Sequence, residues 1–201
     1  MKKCKIIPSI VSAITSNVII IMGLFVYSCE NTITNNSARI NYGVVINEIN
    51  YRSFTDFQPG DWVELHNTTN EVIAIGLWKL KDNDDDHVFT IPENKILLAH
   101  DFIVLCREVA AFENLFSGVT NIIGDLEFGL GGGDQVRLFD SGGLLVDMVE
   151  YDEEDPWPTQ PDGIGFTLEL IHPYLENDMA ENWAAIAGIG TPGKKNSMDV
   201  K

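Results

Sequence analysis

The stretch LKDNDDDHVF, residues 80–89, concentrates groups that could bind a cation. Four aspartates, one asparagine and one histidine occupy residues 82–87, between apolar residues on both sides. Carboxylate and amide oxygens are the ligands that Ca²⁺ prefers in proteins. The sequence therefore raises two interpretations, a metal site and the solvated tip of a turn.

The aspartates follow the first half of an EF-hand calcium loop but not the second half. Asp82, Asp84 and Asp86 alternate, whereas His87 stands at position six, where the sharp turn needs glycine. Glu93 falls at position twelve, but the residues before it have the pattern of a strand, so the loop cannot wrap an ion in EF-hand fashion. An EF-hand is therefore not predicted.

A looser calcium site remains open, because a second acidic loop follows the strand at residues 144–151. The candidate ligands from the two loops are Asp82, Asp84, Asp85, Asp86, Asp152 and Asp155. The alternative is that water solvates both loops, which acidic turns tolerate well. Apart from weakly bound calcium, no cofactor is predicted.

No arrangement of residues predicts catalysis. The four histidines are scattered without an HExxH pattern, and no GxSxG sequence occurs. Cys106 lies in an apolar, strand-like run and is predicted to be a small buried hydrophobe. We expect no catalytic residue and no enzyme, with a metal-dependent hydrolase or accessory subunit using the acidic loops as the alternative.

The N-terminal segment has the features of a bacterial lipoprotein signal peptide. Lys2, Lys3 and Lys5 precede an apolar run at residues 18–27, about ten residues long, whereas a membrane-spanning helix needs about 20. The run ends in Val-Tyr-Ser-Cys, which resembles a lipobox, so Cys29 is predicted to carry a lipid. An ordinary secretory peptide is the alternative, and either would place the mature protein outside the cytoplasm.

Charge and composition indicate one acidic domain on a tether. The formal charge of −17 becomes −20 once the three N-terminal lysines are removed, which disfavours nucleic-acid binding. The predicted organisation is a signal peptide at 1–28, a polar tether at 29–42, one domain at 43–196 and a tail at 197–201.

Short apolar runs separated by turn residues predict an all-β fold. One helix is predicted at residues 107–116, where apolar residues recur at spacings of three and four. The strand at 73–80 should form a hairpin with 87–91 around the acidic loop, and the strand at 136–139 should pair with 144–151. The predicted strands are 44–51, 61–67, 73–80, 87–91, 102–106, 135–139, 144–151 and 166–171.

The order of these elements resembles the lamin tail domain, an immunoglobulin-like module also found in secreted bacterial proteins. The segments that carry the resemblance are VINEI at 45–49, DWVELHN at 61–67, IGLWKL at 75–80, GDQVRLFD at 133–140, VDMVEY at 146–151, PWP at 156–158, GFTLEL at 165–170, NW at 182–183 and GTPG at 190–193. The resemblance implies an immunoglobulin-like β-sandwich with one short helix and no enzyme activity. The chromatin binding known for lamins is not expected here, because it relies on a basic surface.

The expected role is therefore binding. The partner would be an envelope or extracellular protein or glycan, and the membrane would be reached through the lipid on Cys29. If the cell has two membranes, Glu30 after Cys29 permits sorting to the outer membrane or the cell surface. A third alternative is a structural envelope protein that assembles through exposed sheet edges.

The remaining residues singled out by the sequence are predicted to be structural. Glu64 and Asn67 border the turn at 67–70, where they are expected to hydrogen-bond to loop backbone. The four tryptophans are expected to fill the core or cap its ends: Trp62, Trp78, Trp157 and Trp183.

Overall fold

The computed structural model describes residues 42–52 and 60–199 in full, and residues 4–15 and 18–29 by their backbone alone. The chain divides into two compact units, Met1–Ser37 and Ala38–Lys201. In the first unit, strands β1 (Cys4–Thr15) and β2 (Val18–Cys29) pair antiparallel. Within the described part of the chain, no helix is long and apolar enough to cross a membrane. Cleavage and lipidation at Cys29 stay predictions, and residues 30–41 of the predicted tether lie outside the described residues.

The second unit confirms the all-β prediction. Its larger sheets have the strand orders β10-β9-β4-β3-β13-β14 and β12-β11-β6-β7, and β5 pairs with β8 in a small third sheet. The elements are β3 (Val44–Asn50), β4 (Trp62–Asn67), β5 (Ile73–Ala74), β6 (Lys79–Lys81), β7 (Phe89–Thr90), β8 (Ile96–Leu97), β9 (Phe102–Cys106), α1 (Val109–Leu115), β10 (Ile122–Ile123), β11 (Asp134–Phe139), β12 (Leu145–Tyr151), β13 (Phe166–Leu170), a 3-10 helix (Ala180–Asn182) and β14 (Trp183–Ala187).

The two larger sheets form an immunoglobulin-like sandwich around one hydrophobic core. Side chains alternate between the two faces along β4, so Val63 and Leu65 lie in this core with Val136 and Leu138 of β11. The opposite face of β4 carries Trp62, which packs with β9 and α1 in a second, smaller cluster. The six-stranded sheet is therefore buried on both faces along β4, and all six residues of that strand are buried.

The acidic loop lies at the tip of a hairpin, as predicted, but the strands around it are shorter. β6 pairs with β7 through Leu80 and Phe89. The single strand predicted at residues 73–80 is wrong, because Leu77 has a φ of 64° and ends the extended run. Gly76 lies so close to the Glu93 carbonyl that a Cβ would overlap it. The chain therefore moves from the small sheet at β5 into the four-stranded sheet at β6.

A β-bulge at Asn47 interrupts the regular alternation of side chains along β3. Ile46 pairs with Leu65, whereas Glu48 pairs with Glu64, so β3 has one residue more than β4 between these pairs. Ile46 and Ile49 consequently both face the core. Glu48 turns to the opposite face of the sheet, where the Glu64 side chain also lies.

The outer face of the six-stranded sheet is covered by α1 and by the C-terminal segment. α1 is shorter than predicted, and Phe112 anchors it with its ring centroid 5.8 Å from that of Trp62. Strand β14 was not predicted, although it pairs along the whole of β13. A tail was predicted at residues 197–201. Ser197 and Asp199, however, make contacts within the second unit, so the packed part of this unit includes them.

Candidate functional site

The acidic loop folds around its own carboxylates. Asp82 is 3 % exposed, and its Oδ1 accepts a hydrogen bond of 2.8 Å from the Asp84 backbone N–H. The second oxygen of Asp82 lies 2.7 Å from Nδ1 of His87, and this hydrogen bond raises the pKa of that histidine. Asp84 accepts in turn from the Asp86 N–H at 2.9 Å. Such turns are a common use of aspartate in loops.

Two cations of the four-stranded sheet reach this loop. Nη1 of Arg137 donates to Asp85 Oδ1 at 3.0 Å, and its Nε donates to the Asp82 carbonyl at 2.8 Å. Lys81 Nζ lies 3.6 Å from the same Asp85 oxygen. These cations, Arg137 first, lower the pKa of Asp85. The negative charge of the loop is therefore partly neutralised by the protein itself.

The second acidic loop lines a cavity of about 690 Å³, to which the first loop contributes only Asn83 and none of its aspartates. Asn83 and Asp134 lie on one side of it, with Asp152, Asp155 and Trp157 among the other lining residues. Asp134 accepts from the Asn83 N–H at 3.2 Å, and Asp152 accepts from the Glu154 N–H, also at 3.2 Å. Across residues 42–52 and 60–199, no group of three or more His, Cys, Asp or Glu side chains is arranged to hold a metal ion.

Because of these contacts, the aspartates of the loop should contribute unequally to the free energy of unfolding. We expect Asp82→Ala to lower the free energy of unfolding by about 1–3 kcal/mol, because it removes a buried carboxylate that accepts from the Asp84 N–H and also bonds His87. Asp86→Ala should change it by less than about 0.5 kcal/mol, because that side chain is exposed. Urea unfolding at pH 7 measures both values. Equal effects would contradict a structural role for Asp82.

Three buried glutamates form a row on the outer face of the six-stranded sheet. Glu64, Glu48 and Glu169 come from the adjacent strands β4, β3 and β13, and they are directly opposite one another in register. All three are 0 % exposed. Like charges at such positions destabilise a sheet, and buried carboxylates need hydrogen-bond donors. We call these three residues the glutamate row.

The donors come from residues 190–197, which we call the C-terminal strap. Thr191 N–H donates to Glu48 at 3.1 Å, and Gly193 N–H donates to Glu64 at 2.6 Å. Ser197 N–H donates to Glu169 at 2.7 Å. The strap therefore satisfies each glutamate with one backbone donor, and the glutamates hold the strap on the sheet.

Burial changes the acidity of the row. Burial first, and then the charge of Glu169, raises the pKa of Glu48 to about 8. Burial and the nearby Glu48 raise the pKa of Glu64 well above its ordinary range, although the N–H groups of Gly193 and Asn47 act in the opposite direction. At neutral pH, Glu48 and Glu64 therefore retain protons that exposed glutamates would have lost.

Asn67 joins three segments of the domain through buried hydrogen bonds. It is 0 % exposed, and its Nδ2 donates to the backbone oxygens of Glu71, Leu97 and Leu98. Its Oδ1 accepts from Thr69 N–H at 3.0 Å. Asn67 thus binds the turn expected from the sequence, whereas Glu64 points away from that turn to the strap.

The tryptophans, Cys106 and His66 are packed against other side chains of the domain. Trp78 and Trp183 belong to the main core, and Trp157 packs against it with its ring centroid 6.4 Å from that of Trp183. Cys106 is a free, buried thiol, as predicted, and burial raises its pKa to about 12. Burial also lowers the pKa of His66 to about 4, so this stacked imidazole is neutral at pH 7.

Sequence reasoning missed two parts of this arrangement. Arg137 was not linked to the acidic loop, although its position opposite Lys81 in the paired strands places it there. The glutamate row was missed because residues 44–51 were predicted as a regular strand, without the bulge that turns Glu48 towards Glu64. The available signal was a glutamate in three apolar strand segments, VINEI, WVEL and FTLEL. Unexplained acids inside apolar strands indicate a buried row that requires donors.

Comparison with known families agrees with this architecture. The lamin tail domain family matches residues 38–153 of the 201, which includes Glu48, Glu64 and Asn67. No curated protein matches the chain. Strands β13 and β14 and the C-terminal strap follow the matched segment. The family is a non-enzymatic, immunoglobulin-like domain family, in agreement with the two-sheet sandwich. The chain therefore belongs to the lamin tail domain family.

Proposed function

We propose that the chain is a non-catalytic interaction module of the bacterial cell envelope, held outside the cytoplasm by a lipid on Cys29. The observation that carries the proposal is its membership of a non-enzymatic immunoglobulin-like family. The buried carboxylates of the domain support it, because Glu48, Glu64 and Glu169 are bonded to the chain's own backbone. A general acid or base must instead reach a substrate.

The partner is an envelope or extracellular protein or glycan. The chain has 30 acidic and 13 basic residues, so its field repels the phosphate backbone of nucleic acids and attracts cationic surfaces. Binding by a domain of this kind depends on its surface, which the rigid two-sheet core positions. Weak association with calcium is compatible with this role but is not required for it.

A second candidate function, self-assembly through sheet edges, is favoured by β14. This strand lies at the end of the six-stranded sheet and has the sequence WAAIA, without a charged residue or proline. Charged residues and prolines are the usual protection of an edge against pairing with another chain. The overall negative charge opposes association of identical copies, so we place this candidate second.

The anchor predicts the chemical state of the native N-terminus. Mass spectrometry of the protein extracted from membranes should show a mature chain beginning at Cys29 with a diacylglycerol on its sulfur. The Cys29→Ser variant is the matched control, and it should leave the membrane fraction. An unmodified N-terminus at a later residue would refute the lipid anchor and indicate an ordinary secretory peptide.

Capture by the full chain tests the binding function itself. Immobilised protein is exposed to an envelope extract with and without a chelator, beside a variant with alanine at Asp84, Asp85 and Asp86. The interaction module should capture the same partner in all three conditions, because these side chains are not the binding groups. Capture or hydrolysis that both the chelator and the variant abolish would support the metal-dependent alternative. Recovery of the chain alone, with self-association in sedimentation, would support assembly through β14.

A further inference from the structure

We propose that the C-terminal strap is a pH-controlled latch, closed while the buried Glu48 and Glu64 beneath it are protonated and released from the sheet when they ionise. This inference goes beyond the proposed binding function and does not depend on it. It concerns a segment that follows the part of the chain matched by the family.

The geometry makes the strap depend on the row. Each of its three donors, at Thr191, Gly193 and Ser197, meets a different glutamate. The one further polar anchor is neutral: Asn196 donates to the backbone oxygens of Asn47 and Leu170 at 2.8 and 2.9 Å. This anchor does not titrate, so it adds no pH dependence of its own.

The Thr191 hydroxyl indicates where a proton is held. Its Oγ1 lies 3.3 Å from Oε2 of Glu48 and 3.1 Å from Oε1 of Glu169. One hydroxyl has one hydrogen, so it can donate to one of these carboxyl groups and must accept from the other. A protonated Glu48 can donate to Thr191 Oγ1, which leaves the hydroxyl hydrogen for Glu169. If both carboxylates are ionised, one of these contacts loses its hydrogen.

The charged groups around the row do not compensate for ionisation. Glu64 and Glu169 face Glu48 from the two neighbouring strands, and both are acids. The strap brings Lys194 and Lys195, which are exposed, and Lys195 is paired with Asp199 at 3.4 Å. His172 lies 3.6 Å from the other oxygen of Asp199. Among the ion pairs of the described residues, none joins a lysine or arginine to the row.

The direction of the pH effect follows from these contacts. The pKa of Glu48 is about 8 in the folded protein, above its ordinary value of 4.5. A carboxyl group with a raised pKa contributes stability that is complete below the ordinary value and is lost as the pH rises through the folded value. The strap should therefore be held most firmly in acid, loosen as the pH rises from about 4.5 towards 8, and change little above about pH 9.

Cleavage by trypsin measures how often the strap is open, because Lys194 and Lys195 are exposed residues within it. The full chain in detergent is digested briefly at pH 7 to 9.5, and cleavage at these lysines is measured by mass spectrometry. A free peptide of residues 188–199 corrects for the pH dependence of trypsin. Cleavage of the strap relative to the peptide should rise at least about tenfold over this range, since it follows the open population.

The variant Glu48→Gln separates the latch from other alkaline effects. Its amide oxygen can accept from Thr191 N–H and its amide nitrogen can donate to the Thr191 hydroxyl, as the protonated acid does, but it does not titrate. Strap cleavage should rise less in this variant than in the wild type over the same pH range, and Glu64 is the remaining titrating group under the strap. The Glu71→Gln variant, at an exposed acid outside the row, should behave like the wild type.

Three results would overturn the latch. One is a wild-type strap whose corrected cleavage rate is constant from pH 7 to 9.5. Another is the same rise in the wild type and in Glu48→Gln. The third is simultaneous cleavage after Lys95 and Arg107, which would show global unfolding. If Glu48→Gln does not fold, the wild-type rate at the strap, compared with these two distant sites, still decides the question.

Discussion

Replacement of Asn67 by alanine is expected to destabilise the domain by about 3–5 kcal/mol. The side chain is 0 % exposed and donates to three backbone oxygens, those of Glu71, Leu97 and Leu98. It also accepts from Thr69 N–H. The Thr69 hydroxyl donates to the same oxygen at 2.7 Å, so alanine removes five contacts and leaves buried backbone groups without partners. Urea unfolding followed by tryptophan fluorescence measures the loss.

Asn67→Asp is the sharper comparison, because it preserves the shape of the side chain. The aspartate retains the oxygen that accepts from Thr69, but it directs a second oxygen at three carbonyl oxygens. We expect this variant to be at least as unstable as Asn67→Ala at pH 7. A stability equal to the wild type would mean that the three donated hydrogen bonds contribute nothing measurable.

Gly190→Ala is the second substitution with a large expected effect, about 3–5 kcal/mol in the free energy of unfolding. Gly190 has a φ of 88°, a conformation that alanine adopts only with strain. A Cβ at this position would overlap Oε1 of Glu48 and lie 2.9 Å from Cγ2 of Thr167. The glutamate row leaves no room for it, so the strap must lift from the sheet. Thermal unfolding and tryptic cleavage at Lys194 should both report the change.

Gly188→Ala is the matched control for backbone strain. Gly188 has a φ of 106°, but a Cβ there would meet nothing within 4 Å. Its expected destabilisation is therefore the strain alone, about 1–3 kcal/mol. The difference between the two variants measures the contact of the strap with Glu48. If both variants have the same stability, the close approach at Gly190 has no energetic importance.

Much of the sandwich was predictable, because its elements follow local rules. Apolar and other residues alternate through residues 61–67, and the structure places Val63 and Leu65 in the main core. The hairpin of β11 and β12 was predicted from the Asp-Ser-Gly-Gly turn, where Gly143 has a φ of 83°. The helix was found from the spacing of its apolar residues, with Phe112 as the buried anchor.

The candidate site was less predictable, because it depends on distant pairing. The bulge at Asn47 has no unambiguous signal in VVINEIN, yet it decides which face Glu48 occupies. Glu48 and Thr191 are 143 positions apart in the sequence, and their hydrogen bond exists only after β3, β13 and the strap have assembled. Similarly, the 55 positions between Asp82 and Arg137 are bridged by the pairing of β6 with β11.

The sequence by itself determined the fold class, the family and the acidic character of this protein, because periodicity, turn residues and charge are properties of neighbouring positions. Only the tertiary structure decided what the acids do. It placed Asp82 inside its own turn, paired Asp85 with Arg137, and gathered Glu48, Glu64 and Glu169 beneath the C-terminal strap. The physical reason is that the pKa of a carboxyl group depends on its burial and on its donors, and strand register sets both.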